Sequence, residues 1–300
     1  MPSEPQSPES LSPRNTLRRT IRGFVLLATI ATLVMVSWAL IEPFTLGVEK
    51  AVLTSHAVPA DFDGARVVFV SDVHAGPFFG RSRTARLIDR INALEPDLVI
   101  LGGDYVGGER GGAGIFYPEA ARLVAPLGVF GVLGNHEAWE GIEAARSGLA
   151  SASVTLLENE NVLVERGGSG IFIAGVDDLQ TGRPDVTTAS AGIVPGGFAI
   201  LVSHNPDVFA DALPEVGGAF DLALAGHVHG GQVTLFGGRA LWVPSVHGER
   251  YRQGWREESG IPVLVSRGVG TVNLPVRFFA LPQIHVIELK RGAPELTISD

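Results

Sequence analysis

Five short apolar runs in this chain each lead to a residue able to grip a cation, and that recurrence limits the folds open to it more than any other feature. Arg66 to Val70 leads into Ser71-Asp72-Val73-His74, Leu98 to Leu101 into Gly102-Gly103-Asp104, and Val129 to Leu133 into Gly134-Asn135-His136-Glu137. Ala199 to Val202 is followed by His204, and Leu222 to Ala225 by Gly226-His227-Val228-His229-Gly230-Gly231. Open α/β sheets gather their sites at the carboxyl ends of strands, so the pattern predicts an α/β protein with one polar cluster at that edge.

Side chains two apart on an extended segment point the same way, which lets Asp72 and His74, and again His227 and His229, face one ion. Asp104 has two oxygens with which to span two ions, and Asn135 offers a neutral amide oxygen. His136, beside it, is free to shuttle a proton. A lone Asp-x-His or His-x-His is as often a cap or a surface pair. Here five of the eight histidines fall at the ends of apolar runs. Carboxylate, imidazole and amide together suit Mn, Fe or Zn better than Ca, and the number of donors implies two divalent ions.

Between the runs lie helical patterns at Arg81 to Leu94 and Pro118 to Leu127. The second half adds strand candidates at Val162 to Glu165, Ile171 to Ala174, Val233 to Leu235, Pro262 to Ser266 and Ile284 to Leu289. Two packed sheets flanked by helices accommodate this alternation. Gly107 to Gly114 predicts a loop, since no Gly-Lys-Ser/Thr follows to make a phosphate cradle.

The amino terminus reads differently. Residues 1–22, rich in Pro and Ser at their start, predict a disordered cytoplasmic tail. Gly23 to Ile41 is uncharged and as a helix would cover about 28 Å, close to a bilayer core. It predicts a transmembrane signal anchor, with Arg14, Arg18, Arg19 and Arg22 holding the tail inside and the remainder on the outer, periplasmic or extracellular, face. A cleaved signal peptide is the rival, and Arg18-Arg19 raises twin-arginine export, yet no small-x-small site follows Trp38. Residues 42–64 predict a linker and first strand region, 65–290 the catalytic domain, and 291–300 a tail.

Composition narrows the chemistry. The net charge of -9 becomes -11 once the +2 of the first 22 residues is set aside, and the scattered Lys and Arg form no basic stripe, which argues against nucleic acid. A small phosphorylated molecule suits this balance. The absence of cysteine removes thiolate ligands and a cysteine nucleophile. No Gly-x-Ser-x-Gly elbow is present. His56, His247 and His285 stand outside the motifs and are read as ordinary surface or buried residues. Arg250 and Arg252, offset by Glu249, could meet an anionic substrate but are read first as part of a plain loop, and Asp177-Asp178, at a strand end, could support the site, though a turn explains them equally well.

Asp72-x-His74, Gly103-Asp104, Gly134-Asn135-His136-Glu137, His204 and Gly226-His227-x-His229 resemble the calcineurin-like metallophosphoesterases in order and spacing. His227 to Gln232, Arg267-Gly268-Val269-Gly270 and Leu274-Pro275-Val276-Arg277 narrow the resemblance to a bacterial YkuE/YaeI-like phosphodiesterase branch, over roughly Val52 to Leu289. The resemblance implies a four-layer αββα sandwich. It implies that Asp72, His74 and His229 hold one ion, Asn135, His204 and His227 the other, that Asp104 bridges, and that catalytic His136 meets the phosphate and leaving group. Glu137 stands where many relatives have Asp, and Val228 where the branch often has Thr; neither is an expected ligand.

The expected reaction is in-line attack on phosphorus by a hydroxide shared between two cations, which lower the pKa of water toward neutrality. The expected substrate is a phosphodiester or phosphomonoester, with lipid or cell-envelope phosphoesters brought near by the anchor. A lipid A precursor hydrolase acting on a UDP-2,3-diacylglucosamine pyrophosphate is the alternative, although that substrate lies on the cytoplasmic side. A metal-stabilised scaffold without catalysis is the reading from a different class.

Overall fold

Strands rich in Val, Ile and Leu, buried on both faces, organise the molecule. A computed structural model of the chain describes residues 13–107, 111–235 and 238–299. In chain order its first half holds α1 (Pro13–Ile41), β1 (Gly47–Ser55), β2 (Arg66–Val70), α2 (Arg81–Asn92), β3 (Leu98–Leu101), α3 (Ala113–Ala120), β4 (Val129–Gly131), α4 (Asn135–Ser151) and β5 (Val154–Leu156). The second holds β6 (Glu160–Arg166), β7 (Ser169–Gly175), α5 (Val186–Ala189), β8 (Ala199–Ser203), α6 (Val208–Glu215), β9 (Leu222–Ala225), β10 (Gly254–Glu258), β11 (Ile261–Val265), β12 (Gln283–Arg291) and β13 (Glu295–Ser299).

These strands make a seven-stranded sheet, ordered β13-β1-β12-β2-β3-β4-β5, and a six-stranded sheet, ordered β10-β11-β9-β8-β7-β6. Side-chain alternation along each strand sorts the core into three layers. Val67, Phe69, Leu98 and Ile100 meet Ile173, Ile200, Val202 and Leu224 between the sheets. Val68, Val70, Val99 and Leu101 turn outward to pack on α2, α3 and α4 through Leu87, Phe116 and Leu149. On the far side Ala174, Leu201 and Ala223 pack on Val208, Phe209 and Leu213 of α6. The result is helix, sheet, sheet, helix, with parallel β2, β3 and β4 of one sheet and β7, β8 and β9 of the other.

Several boundaries depart from the sequence reading. The expected tail at residues 1–22 is helical from Pro13 onward, because Pro suits a first helical position and Leu and Arg are good helix formers; residues 1–12 lie outside the described part. The strand region within 42–64 and the expected tail from 291 both join the first sheet, as β1 and β13. Val233 to Leu235 forms only isolated bridges, Val233 with Phe278 and Thr234 with Ala240.

The helix expected at Pro118 to Leu127 runs instead from Ala113 to Ala120, with Pro118 inside it. Proline lacks the N–H that would reach the Gly114 carbonyl. Arg81 Nη2 donates to that carbonyl instead, at 2.6 Å. The Gly107 to Gly114 loop lies in part outside the described residues.

The apolar stretch of α1 is long and apolar enough to cross a membrane, and its apolar window is not buried within the molecule. Thr29 and Thr32 within it return their hydroxyls to the Val25 and Ala28 carbonyls at 2.8 and 2.9 Å. Two of its polar side chains are thereby satisfied without water.

Candidate metal centre

Each expected site residue stands at or just beyond a strand end. Asp72 and His74 follow β2, Asp104 follows β3, Asn135 and His136 open α4 after β4, His204 follows β8, and His227 and His229 follow β9. The Asp-x-His and His-x-His pairs do not lie on extended backbone, contrary to the expectation from their spacing. Asp72, His74, Asp104, His227 and His229 have φ of 55°, 47°, 53°, 71° and 51°. That region is sparsely populated for residues with a Cβ, and such strain concentrates at functional sites. Tight left-handed turns, not a pleat, bring the paired side chains together.

Small residues make the approach possible. A Cβ at Gly226 would lie 2.5 Å from Asp72 Oδ2, and one at Gly103 would lie 2.7 Å from His204 Nδ1. Larger residues at either place would push the ligand loops apart.

The side chains form one buried cluster. His74 Nε2 lies 2.9 Å from His229 Nε2, and His229 Nε2 lies 3.6 Å from Asp72 Oδ1. His204 Nε2 lies 3.2 Å from His227 Nδ1. Asp104 Oδ2 stands between these pairs, 3.5 Å from His74 Nε2 and 3.3 Å from His204 Nε2. Donor atoms of Asp72, His74 and His229, and separately of Asp104, His204 and His227, fall within 4.8 Å of one another. Asn135 and His136 line the same cavity, of about 490 Å³.

The donor set fits cations. His204 Nδ1 sits 2.8 Å from the Gly102 carbonyl, which can only accept, so Nδ1 carries a proton and Nε2 is the nitrogen that faces Asp104. An imidazole nitrogen this close to a carboxylate calls for positive charge between them, as a proton or as a cation. Asp72 Oδ2 and Asn135 Oδ1 are buried without a hydrogen-bond partner, as an ion ligand would be.

The electrostatics agree. Burial lowers the His74 and His227 imidazoles to about 3 and holds His229 well below its usual range. Burial raises Asp72 to about 6, helped by the charge of Asp104. Burial also works to raise Asp104, but His204 and His74 hold its carboxyl well below the usual range. Burial opposes charge on His204 too, yet Asp104 lifts it to about 10. The cluster thus draws one positive charge into its middle.

Three residues hold this cluster in shape. Glu137 accepts backbone N–H groups from Asp104 and Gly134 at 2.9 Å each, Tyr105 at 2.7 Å and Val106 at 3.2 Å. It locks the Asp104 loop to the start of α4. Burial, joined by the Asp104 charge, pushes Glu137 up to about 8 against the pull of these N–H groups. Gln180 places its side-chain amide 3.0 Å from His227 Nε2, leaving Nδ1 for the cluster. Arg277, fully buried, brings its guanidinium to 3.3 Å from His229 Nδ1.

Gln180 stands outside the motifs that mark the site in the sequence. Its one sequence signal is the preceding Asp177-Asp178, where Asp178 Oδ2 accepts the Gln180 and Thr181 N–H groups and shapes the turn that presents it.

The remaining histidines lie elsewhere, as expected. His285 is buried and bonded to Glu49 and Ser266, His56 is exposed, and His247 stacks edge-on against Tyr251. Arg250 pairs with Glu258 and Arg252 with Glu249, which neutralises that basic pair.

Comparison with known proteins agrees with the geometry. The family model for calcineurin-like phosphoesterases matches residues 65–231. The uncharacterized metallophosphoesterase YkuE of Bacillus subtilis is 32% identical over 257 residues, covering 83% of this chain and 87% of that protein. An uncharacterized metallophosphoesterase of Aquifex aeolicus is 29% identical, over 83% of this chain and 94% of its own. A transmembrane protein with metallophosphoesterase domain from Danio rerio is 28% identical, over 97% of this chain and 67% of its own. Among solved structures, the NAD nucleotidase of Haemophilus influenzae aligns over 68% of this chain and 50% of its own, at 16% identity and a TM-score of 0.44.

Proposed function

The chain belongs to the calcineurin-like phosphoesterase family of metal-dependent phosphoester hydrolases, and on that premise we propose that it is a membrane-anchored enzyme working with two divalent ions. In this reading Asp72, His74 and His229 hold one ion, and Asn135, His204 and His227 the other. Asp104 serves both. The observation that carries it is the position of Asp104 Oδ2, within 3.5 Å of an imidazole nitrogen from each set.

Bound ions supply Lewis-acid charge to the phosphoryl oxygens and lower the pKa of water from about 15.7 toward about 7. This chain's own groups do the rest. His136 has its backbone N–H fixed by Asp104 Oδ1 at 3.0 Å, while its ring packs edge-on against His74 with centroids 4.5 Å apart. Held there, it donates to a phosphoryl oxygen and delivers a proton to the departing ester oxygen. Gln180 and Arg277 keep His227 and His229 turned toward the ions. The anchor directs the enzyme to phosphodiesters or phosphomonoesters of lipids or the cell envelope, with the domain on the outer face.

The test is metal content and hydrolysis of a soluble aryl phosphodiester by the full chain in detergent, supplied with Mn. Two ions per chain with turnover is the expected result. Metal uptake without turnover would instead support the scaffold reading, and no bound metal would sink both.

A further inference from the structure

Arg277 joins the end of α1 to the metal cluster. Its backbone N–H donates to the Ala39 carbonyl, in the last turn of the helix, at 3.0 Å, while its guanidinium lies against His229. One arginine therefore separates the apolar helix from the nearest imidazole. The junction is a clamp and not a tether. Glu42, fully buried, accepts the Phe279 and Ala280 N–H groups at 2.9 and 2.6 Å. Arg83 donates to the Pro43 carbonyl and lies over the Phe44 ring at 4.5 Å.

The surface around this clamp is apolar. Phe44 is 65% exposed, and Leu235 and Phe279 are about half exposed. Thr234 N–H donates to the Phe278 carbonyl at 2.8 Å, tying the loop that bears Leu235 to the segment that bears Phe279. Trp242, 68% exposed, and Leu274, 63% exposed, line the metal cavity on that rim. Contiguous apolar surface of this kind marks an interaction site, and exposed aromatics beside an apolar helix favour the membrane interface.

Depth then selects the substrate. An apolar helix of about 28 Å fills the hydrocarbon core, and the headgroup layer adds roughly 5–7 Å on each face. That layer is where lipid phosphates lie. A cluster one arginine from the helix end lies within reach of that level.

Resting on the phosphoesterase reading above, we infer that the mouth of the metal cavity lies in the headgroup layer and that its substrate is a phosphoester carried by a lipid of that leaflet. The acyl chains stay in the bilayer, and the headgroup phosphate enters past Trp242 and Leu274 to His136. Water supplies hydroxyl to phosphorus, one ester P–O bond breaks, and the freed oxygen takes the remaining proton.

Position and substrate are tested separately. The chain has no cysteine, so a fluorophore can be set at Leu235→Cys, Phe279→Cys and, as a control, Val124→Cys before the amino end of β4. The full chain is reconstituted in phosphatidylcholine and phosphatidylglycerol vesicles carrying a headgroup-level quenching lipid. Quenching at 235 and 279 at least twofold greater than at 124 is expected; equal quenching would overturn the placement.

For the substrate, the Mn-loaded chain is given a soluble aryl phosphodiester and, in parallel, vesicles of the source membrane's own lipid extract. Both should be hydrolysed. Leu281, 38% exposed, lies two residues beyond Phe279 on the same segment, and Leu235→Glu with Leu281→Glu should slow vesicle hydrolysis tenfold or more and leave the soluble rate within twofold. Soluble turnover with untouched vesicles, or a vesicle rate unmoved by the double variant, would overturn this inference and leave the phosphoesterase reading standing. A Mn-loaded chain that hydrolyses neither would overturn both.

Discussion

Asp104 and His136 touch each other, Oδ1 to backbone N–H, yet their removal should have different consequences. Asp104→Ala deletes the carboxylate that lies beside both imidazole pairs, so bound metal and turnover should both vanish in metal analysis and kinetics. His136→Ala should keep its metal and lose turnover by roughly 10²- to 10⁴-fold, the usual worth of a positioned proton donor. Glu137 acts on structure instead. Glu137→Ala leaves four buried backbone N–H groups without an acceptor, and denaturant unfolding should show a loss of about 3 kcal/mol or more. The expected donors were legible because each follows an apolar run and is itself a typical ligand. Gln180 was not, since a glutamine after a turn carries no mark of the histidine it will meet, and the shape of the left-handed turns was missed because spacing alone does not report φ.

Elements were legible in proportion to their burial. β2, β3 and β9 lie inside a sheet, are apolar on both faces and match their expected bounds. β10 and β13 are edge strands, and their polar positions, half-buried Arg256 and exposed Glu257 or exposed Glu295 and Thr297, dilute the pattern. α4 contains Gly141, whose φ of 128° breaks its course, so it gave no helical signal. The joint between α1 and the domain offers a prediction of its own. Glu42→Ala strands the Phe279 and Ala280 N–H groups, so limited proteolysis should cut newly between residues 42 and 46, with a stability loss of roughly 2 kcal/mol by thermal unfolding.

Across the whole molecule the two halves are joined by the inter-sheet core and by the cluster at its edge. Asp72 and His74 come from the first sheet, while His204, His227 and His229 come from the second. An ion held by both should resist their separation. Chelation should therefore lower the unfolding temperature, and adding Mn at about 100 times its Kd should restore roughly 2.7 kcal/mol. The left-handed backbone at five of these residues has a further consequence. Each conformation stores on the order of 1 kcal/mol that glycine would release, a noticeable share of the roughly 5–15 kcal/mol by which a domain is folded. Selection for heat tolerance alone would drift toward glycine at 72, 74, 104, 227 and 229, and would arrive at a sturdier molecule that hydrolyses nothing.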